Sequence, residues 1–419
     1  MFTKAKLVII SDKVFVKNTI MLYIMTVIKY VSPFIISACL TRRLGPSVYG
    51  EMIYVSTMMG YFMSILDFGF NYSSTRKIAE HKNNKEYVSK ILTNTVLAKC
   101  VISIPCILCF LLMIINIDLI KKNLLLSVIY FINSLIHIFL PDFVYRGLEK
   151  MEFVTIRYGI SKFVSAILIL ILVDSEKKVI LVPIIYCIGS IIAIIWANLN
   201  LRNGFKIYYE KRSSIHNAVK EIYSALGYFI SVFASTSFSA IISITFGLID
   251  IPASDIACWN IALQIVIAMQ SLYDPITSSL FPRVVVEKNC KKVIRITVYL
   301  SIFVLLGCII VFCNSDLIIR IIAGTGYEKA AFLLRIFTPL LFFSFPAQML
   351  GFPLLGAMGK VNYVTRSTVI SACILLLLVV FFWFNKSINI ISLVVIRDVT
   401  EFLYFIIRFI FAYFFIKNA

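Results

Sequence analysis

Charged side chains are scarce in this chain: 15% of 419 residues, against 60% hydrophobic and a mean hydropathy of +0.95. That excludes a soluble globular domain, which needs far more polar surface to cover a core. Histidine occurs at His81, His137 and His216 only, far apart in sequence, and His137 reads as a packed helix residue. The cysteines are scattered, mostly in apolar runs (Cys100, Cys106, Cys109, Cys308, Cys313). The Cys106/Cys109 pair has no matching second pair and lies inside a span, so all read as small apolar residues rather than metal ligands. No P-loop, HExxH or GxSxG occurs. Asp67-Phe68-Gly69 spells the kinase DFG but lacks the Gly-rich loop, VAIK and HRD around it. Neither a catalytic site nor a cofactor is expected. The roughly ten-residue alternation of outer-membrane strands is missing too, which excludes a barrel. No cleavable signal pattern opens the chain, and no loop is long enough to fold alone.

What is present is a succession of apolar runs, each long enough to cross a hydrocarbon layer of about 30 Å. About twelve spans are expected, at 18–40, 48–71, 88–117, 123–146, 153–173, 178–199, 218–248, 255–280, 293–314, 330–357, 362–384 and 388–416. The fold class is an all-α integral membrane protein. Acidic residues are few, and the net charge is +19. That excess is not a nucleic-acid signal, because it collects in alternate short loops. Lys4, Lys6, Lys13 and Lys17 precede the first span, and later basic loops carry Arg76, Lys77, Lys82 and Lys85, then Arg202, Lys206, Lys211 and Arg212. The positive-inside rule puts this set, and both termini, in the cytoplasm.

The basic connection near 200–217 divides the chain. A first six-helix bundle is expected over 1–204, a linker over 205–217 and a second bundle over 218–419. The halves are alike. LTRRLGPSVYGEMIYVS (40–56) aligns without gaps on FGLIDIPASDIACWNIA (246–262), and LEKMEFVTIRYGIS (148–161) on MGKVNYVTRSTVIS (358–371). The matched segments join helices of the same orientation, so the duplication is parallel, with its axis along the membrane normal.

Charges inside spans are the default functional candidates, since each costs several kcal/mol unless paired or hydrated. Lys29 lies about twelve residues, or ~18 Å, beyond Lys17, too deep to snorkel, and points to a water-filled interior. Lys99 sits at similar depth, and Arg335 in the outer part of its span. Arg397, Glu401, Tyr404 and Arg408 share one helical face. A structural Arg397–Glu401 pair or a snorkelling Arg408 explains that face as well as a functional role does. Polar stripes accompany the charges: Ser231, Ser235, Ser239 and Ser243; Asn260, Gln264, Ser271, Asp274 and Ser278; Thr57, Tyr61, Ser64, Asp67 and Asn71. Serines also serve as helix–helix glue, but stripes and buried cations together read as a wet, cationic central cavity between the halves. Such a cavity suits an anionic cargo. Pro33, Pro141, Pro275 and Pro346 interrupt spans as hinges or static kinks.

Several motifs carry a family resemblance. They are Arg43-Leu44-Gly45-Pro46 with Tyr49-Gly50, Asp67-Phe68-Gly69-Phe70, Tyr145-Arg146-Gly147-Leu148-Glu149-Lys150-Met151, Phe281-Pro282-Arg283, and Leu354-Leu355-Gly356-Ala357-Met358-Gly359-Lys360. In order and spacing, over nearly the whole chain, these resemble the O-antigen flippases (Wzx type) of the multidrug/oligosaccharidyl-lipid/polysaccharide superfamily. The resemblance implies two pseudo-symmetric bundles opening alternately to either side of the bacterial inner membrane. It implies an undecaprenyl-diphosphate-linked oligosaccharide as cargo, H+ or Na+ as coupling ion, and a polysaccharide polymerase and chain-length regulator as protein partners. On that basis Lys29, Lys99, Arg335, Arg397 and Arg408 are candidates to meet the diphosphate. Arg146 and Arg283, at cytoplasmic ends, are candidates to recruit it, and Asp67, Asp274 and Glu401 to couple the ion. Three alternatives fit less well. A membrane-embedded polymerase or ligase usually needs a sizeable external loop. A drug/cation antiporter is expected to have a more acidic lumen, and a lipid II flippase typically has two more spans.

Overall fold

The computed structural model describes residues 2–210, 213–277, 280, 284 and 290–417, and every regular element among them is helical. In chain order these are α1 (Phe2–Asp67), α2 (Phe70–Glu80), α3 (Lys85–Asn116), α4 (Asp118–Lys122), α5 (Leu124–Ile136), α6 (Asp142–Gly147), α7 (Met151–Leu172), α8 (Leu181–Asn200) and α9 (Ile215–Leu248). There follow α10 (Ala253–Gln270), α11 (Cys290–Cys313), α12 (Ser315–Ile322), α13 (Glu328–Ile336), α14 (Thr338–Met349), α15 (Val361–Phe384) and α16 (Ile390–Lys417). Wider π-helical turns follow α8 at Leu201–Phe205 and α14 at Leu350–Gly356.

Among the described residues nine helices are long and apolar enough to cross a membrane, or ten with the bent pair Ile215–Ile230 and Val232–Leu248 as one span. The expected spans 18–40 and 48–71 lie in one helical run, α1, interrupted at Gly45 (φ 65°, ψ 170°). The last expected span is α16, whose 28 residues reach about 42 Å at ~1.5 Å per residue. It carries four charged side chains along its middle and is not among the nine.

Helices form here because a chain without water must satisfy every backbone polar group internally. Helix α3 illustrates the pattern. Asn84 caps it, its side chain accepting from the Tyr87 N–H at 3.0 Å. Ile104, Leu108, Leu111 and Ile115, one stripe at helical spacing, are exposed and suited to lipid. Cys106 and Phe110 face inward, where Phe110 stacks on Phe131 at 4.2 Å and meets Phe62 edge-on.

The chain divides into two compact units, one of Met1–Arg43 and Val55–Phe233, the other of Leu44–Tyr54 and Ala234–Ala419. In the first, α2 packs on α6, and α8 on α5 and α7; in the second, α16 packs on α14 and α15, α10 on α13, and α11 on α14. The short excursion Leu44–Tyr54 explains the Gly-Pro-x-x-Tyr-Gly motif. Pro46 lies against Gly326, and the buried Tyr49 ring meets the buried Tyr327 ring edge-on at 6.4 Å. At Gly50 an added Cβ would fall 1.7 Å from the carbonyl oxygen of Ala253, so only glycine fits.

The duplication is written into the backbone. Lys150 N–H donates to the Tyr145 carbonyl at 2.8 Å and Lys360 N–H to the Leu355 carbonyl at 2.9 Å. Leu148 N–H reaches the Val144 carbonyl as Met358 N–H reaches that of Leu354. The residues between them, Glu149 (φ 58°) and Gly359 (φ 75°), both take the left-handed conformation that closes a helix end. The other aligned pair matches more loosely. A positive φ precedes each proline, at Gly45 and at Asp250, one place out of register.

Gly50→Ala is expected to destabilise the protein by at least about 1–3 kcal/mol through overpacking, read as a lower unfolding temperature in detergent. Gly60→Ala, where an added Cβ meets nothing within 4 Å, is expected to be neutral or stabilising by up to about 1 kcal/mol.

Candidate functional site

Phe68 (φ 43°) and Gly69 (φ 75°) take left-handed conformations in succession, which ends α1 and starts α2. The Phe68 ring locks the break by stacking on Phe229 at 4.1 Å. Tyr228 and the Phe229 backbone both lie 2.9 Å from where a Cβ on Gly69 would sit. The break leaves Asp67 at the C-terminal end of a helix, where the unpaired carbonyls disfavour a carboxylate. Two donors offset this. Lys99 of α3 donates to Oδ1 at 3.0 Å, and Asn71, one turn on in α2, donates to Oδ2 at 2.6 Å. The Lys99 side chain is 6% exposed and that of Asp67 33%, so the lysine is enclosed and the carboxylate opens onto a cavity. The Phe143 ring lies 5.6 Å from the ammonium.

The cavity measures about 240 Å³ and is lined by Asp67, Asn71, Lys99, Ser134, His137 and Asp142, with apolar walls from Met63 and Leu66. This is smaller than the roughly 300–1,000 Å³ of small-molecule sites. It has room for waters and a small cation, not for an oligosaccharide. A second ion pair borders it: Arg157 Nη2 donates to both oxygens of Asp142 at 2.8 Å. Ser190 Oγ donates to Asn133 Oδ1 at 2.8 Å and so receives the His137 Nε2 proton at 3.1 Å. The cavity therefore brings together Asp67, Lys99, His137 and Asp142, with Asp67 the more exposed of its two carboxylates.

The second unit has its own polar group on α16. Arg397 donates to Glu401 at 2.8 Å and lies over the Phe238 ring at 4.8 Å. Arg408 is buried. It donates to Ser367 Oγ at 3.1 Å and to the Ala347 carbonyl at 2.7 Å, and stacks on Tyr404 at 4.1 Å. Its guanidinium crowds Gly351, where an added Cβ would sit 2.7 Å from Nη1. Asp398 is buried beside the pair, its Oδ1 without a hydrogen-bond partner among the described residues.

Of the residues singled out from sequence, the structure joins Asp67 to Lys99, Arg397 to Glu401, and Arg408 to Tyr404. Arg335 pairs instead with Asp316. Lys29 is exposed on α1 and makes no ion pair among the described residues. Arg146 is half-buried, with its Nε enclosed and unpartnered among the described residues. Asp274 is exposed. Arg283 lies outside the described residues, as do Ser278, Phe281, Pro282 and the side chain of Ser231. Sequence reasoning missed Asp142, Arg157 and Asp398. A charged residue six places into a span, as Arg157 is, was the available signal. It also missed Lys162, whose ammonium lies 4.9 Å from the Tyr186 ring.

The fold is that of polytopic membrane transporters. It superposes on the lipid II flippase MurJ in an inward closed conformation with a TM-score of 0.71, at 14% identity, covering 93% of this chain and 86% of that one. It also superposes on an inward-facing multidrug resistance MATE family transporter of the MOP superfamily with a TM-score of 0.65, at 11% identity, covering 96% and 99%. By sequence the chain belongs to the polysaccharide biosynthesis protein family, whose model matches residues 15–286. A relative from Escherichia coli (strain K12), named "Putative O-antigen transporter", is 26% identical over 334 residues, covering 78% of this chain and 80% of its own.

Asp142→Ala is expected to cost about 3–5 kcal/mol by leaving a buried guanidinium unpaired. Asp142→Ala with Arg157→Met is expected to recover much of the loss, both read as thermal unfolding in detergent.

Proposed function

We propose that this protein is a flippase that carries an undecaprenyl-diphosphate-linked oligosaccharide, an O-antigen or related repeat unit, from the cytoplasmic to the periplasmic leaflet of the bacterial inner membrane. It works by cation-coupled alternating access, with both termini in the cytoplasm. It is a transporter and not an enzyme. Family membership, an O-antigen transporter relative and a transporter fold support this reading. The isoprenoid tail stays in the bilayer while diphosphate and sugars cross.

One observation carries the coupling step: a carboxylate, Asp67, held by an enclosed ammonium, Lys99, at the edge of a cavity sized for water and a cation. H+ or Na+ entering that cavity competes with Lys99 for Asp67. Because Lys99 and Asp67 lie on different helices, release of the pair alters how α3 meets the α1–α2 break. Glu401 and Asp274 are the further coupling candidates. Lys29, exposed and with no ion pair among the described residues, is free to meet diphosphate; Arg397, Arg335 and Lys99 carry carboxylate partners, and Arg408 is held by Ser367 and the Ala347 carbonyl. Arg146 and Arg283 recruit the cargo at the cytoplasmic surface.

The test is translocation of a fluorescent undecaprenyl-diphosphate oligosaccharide in proteoliposomes. Wild type is expected to move it, and Lys29→Ala to move it about tenfold more slowly, the loss of one charge-assisted hydrogen bond. Elongation or transfer of the glycan, or export of cationic drugs without glycan movement, overturns the reading.

A further inference from the structure

The basic end of α8 holds a groove separate from the cavity at Asp67. After Asn200 the helix widens into its π-helical turn, which closes with the Ile207 N–H on the Leu201 carbonyl at 3.0 Å; Lys206 (φ 57°) then reverses the chain. The strap that follows, residues 207–210, lies along α3, and with Ser213 it makes three ties to that helix. Tyr208 N–H donates to Ser89 Oγ at 3.3 Å, Glu210 N–H to Thr93 Oγ1 at 2.9 Å, and Ser213 Oγ to Asn94 Oδ1 at 2.6 Å. Strap, α3 and α8 enclose about 660 Å³, within the size range of a single-ligand site.

Its lining is graded. Leu92 and the buried Ile207 form the floor. Ile195 and Leu199 are half exposed along one face of α8, and Arg202, on the same face one turn further, closes the polar end. Tyr208 and Tyr209 stand over that end, the Tyr209 hydroxyl donating to Asn198 Oδ1 at 2.9 Å. Burial pushes the Tyr209 phenol up to about 12, so it stays neutral and keeps that hydrogen bond. An occupant must be apolar over about two helical turns, roughly 10 Å, and anionic and hydrogen-bonding at the end.

We propose that this groove binds one anionic bilayer phospholipid, its phosphodiester on Arg202 with the two tyrosines at headgroup level and an acyl chain along Ile195 and Leu199. Charge decides between lipid sources. Among the described lining residues the groove offers one guanidinium, which matches the single charge of a phosphodiester; a diphosphate brings at least one more, with no second cation among them. Aromatic hydroxyls at the membrane–water boundary are the usual company of headgroups. The bound lipid fixes residues 207–210 against α3.

The experiment is native mass spectrometry of the full chain in detergent, titrated with phosphatidylglycerol. Wild type is expected to hold one molecule, Arg202→Gln to bind about tenfold more weakly through loss of a charge-assisted contact, and Leu199→Trp, which fills the groove, to lose it. Unchanged binding in both variants overturns the proposal. So does Arg202-dependent retention of undecaprenyl diphosphate in preference to phosphatidylglycerol, which makes the groove a cargo port. If Arg202→Gln fails to fold, Leu199→Trp decides alone, and undiminished binding there overturns the proposal.

Discussion

The absence of water from the hydrocarbon layer is the constraint on which the rest of the structure depends. A charge placed there must find a partner or neutralise, and here partners are found. Lys99 has Asp67, Arg157 has Asp142, Arg397 has Glu401. Arg408, with no carboxylate among the described residues, is held by a carbonyl, a hydroxyl and an aromatic face. In a chain of net charge +19, three of the enclosed cations thus have a carboxylate partner. The small cavity within the first unit is lined by charges of both signs.

Pairs of this kind are weak as stability devices, because desolvation offsets most of their attraction. Their value lies in having alternatives. Asp67 sits at a helix end that disfavours it, held by two side chains from two other helices, beside a cavity with room for a competing ion. On the coupling reading proposed above, an ion can compete for that carboxylate as it cannot for Asp142, which the Arg157 guanidinium holds by both oxygens. The latter pair is made of two bonds to one enclosed guanidinium and serves to fix α6 against α7.

Much of the fold was legible in the sequence because its signals are local. Apolar run length located several helices closely, such as 218–248 and 362–384, though not the breaks at 123–146 and 330–357, and the aligned segments 148–161 and 358–371 begin with the same hydrogen-bonded turn. Asp67 was legible as a candidate for the same reason: an acid in an apolar run stands out. Its partner was not, since Lys99 lies on another helix and sequence distance carries no information about which charges meet. Lys99 therefore read as a free cation when it is engaged, whereas the Arg397–Glu401 pair, four residues apart on one helix, stood among the readings the sequence offered. Asp142 was hidden beside Pro141 in what passed for a single span, and Arg157 inside a motif valued for its similarity. Gly50 shows the limit from the other side. The motif was recognisable, but its glycine's role, to admit the Ala253 carbonyl, depends on a contact about two hundred residues away in sequence.

The central claim is that the Asp67–Lys99 pair links an ion gradient to movement of the cargo. The direct measurement is glycolipid translocation by Asp67→Asn in proteoliposomes, with and without imposed proton and sodium gradients, against wild type. The account requires wild type to accelerate under one of the gradients and Asp67→Asn to equilibrate the cargo slowly and at the same rate whether or not a gradient is applied. Gradient acceleration in Asp67→Asn equal to that of wild type would contradict it.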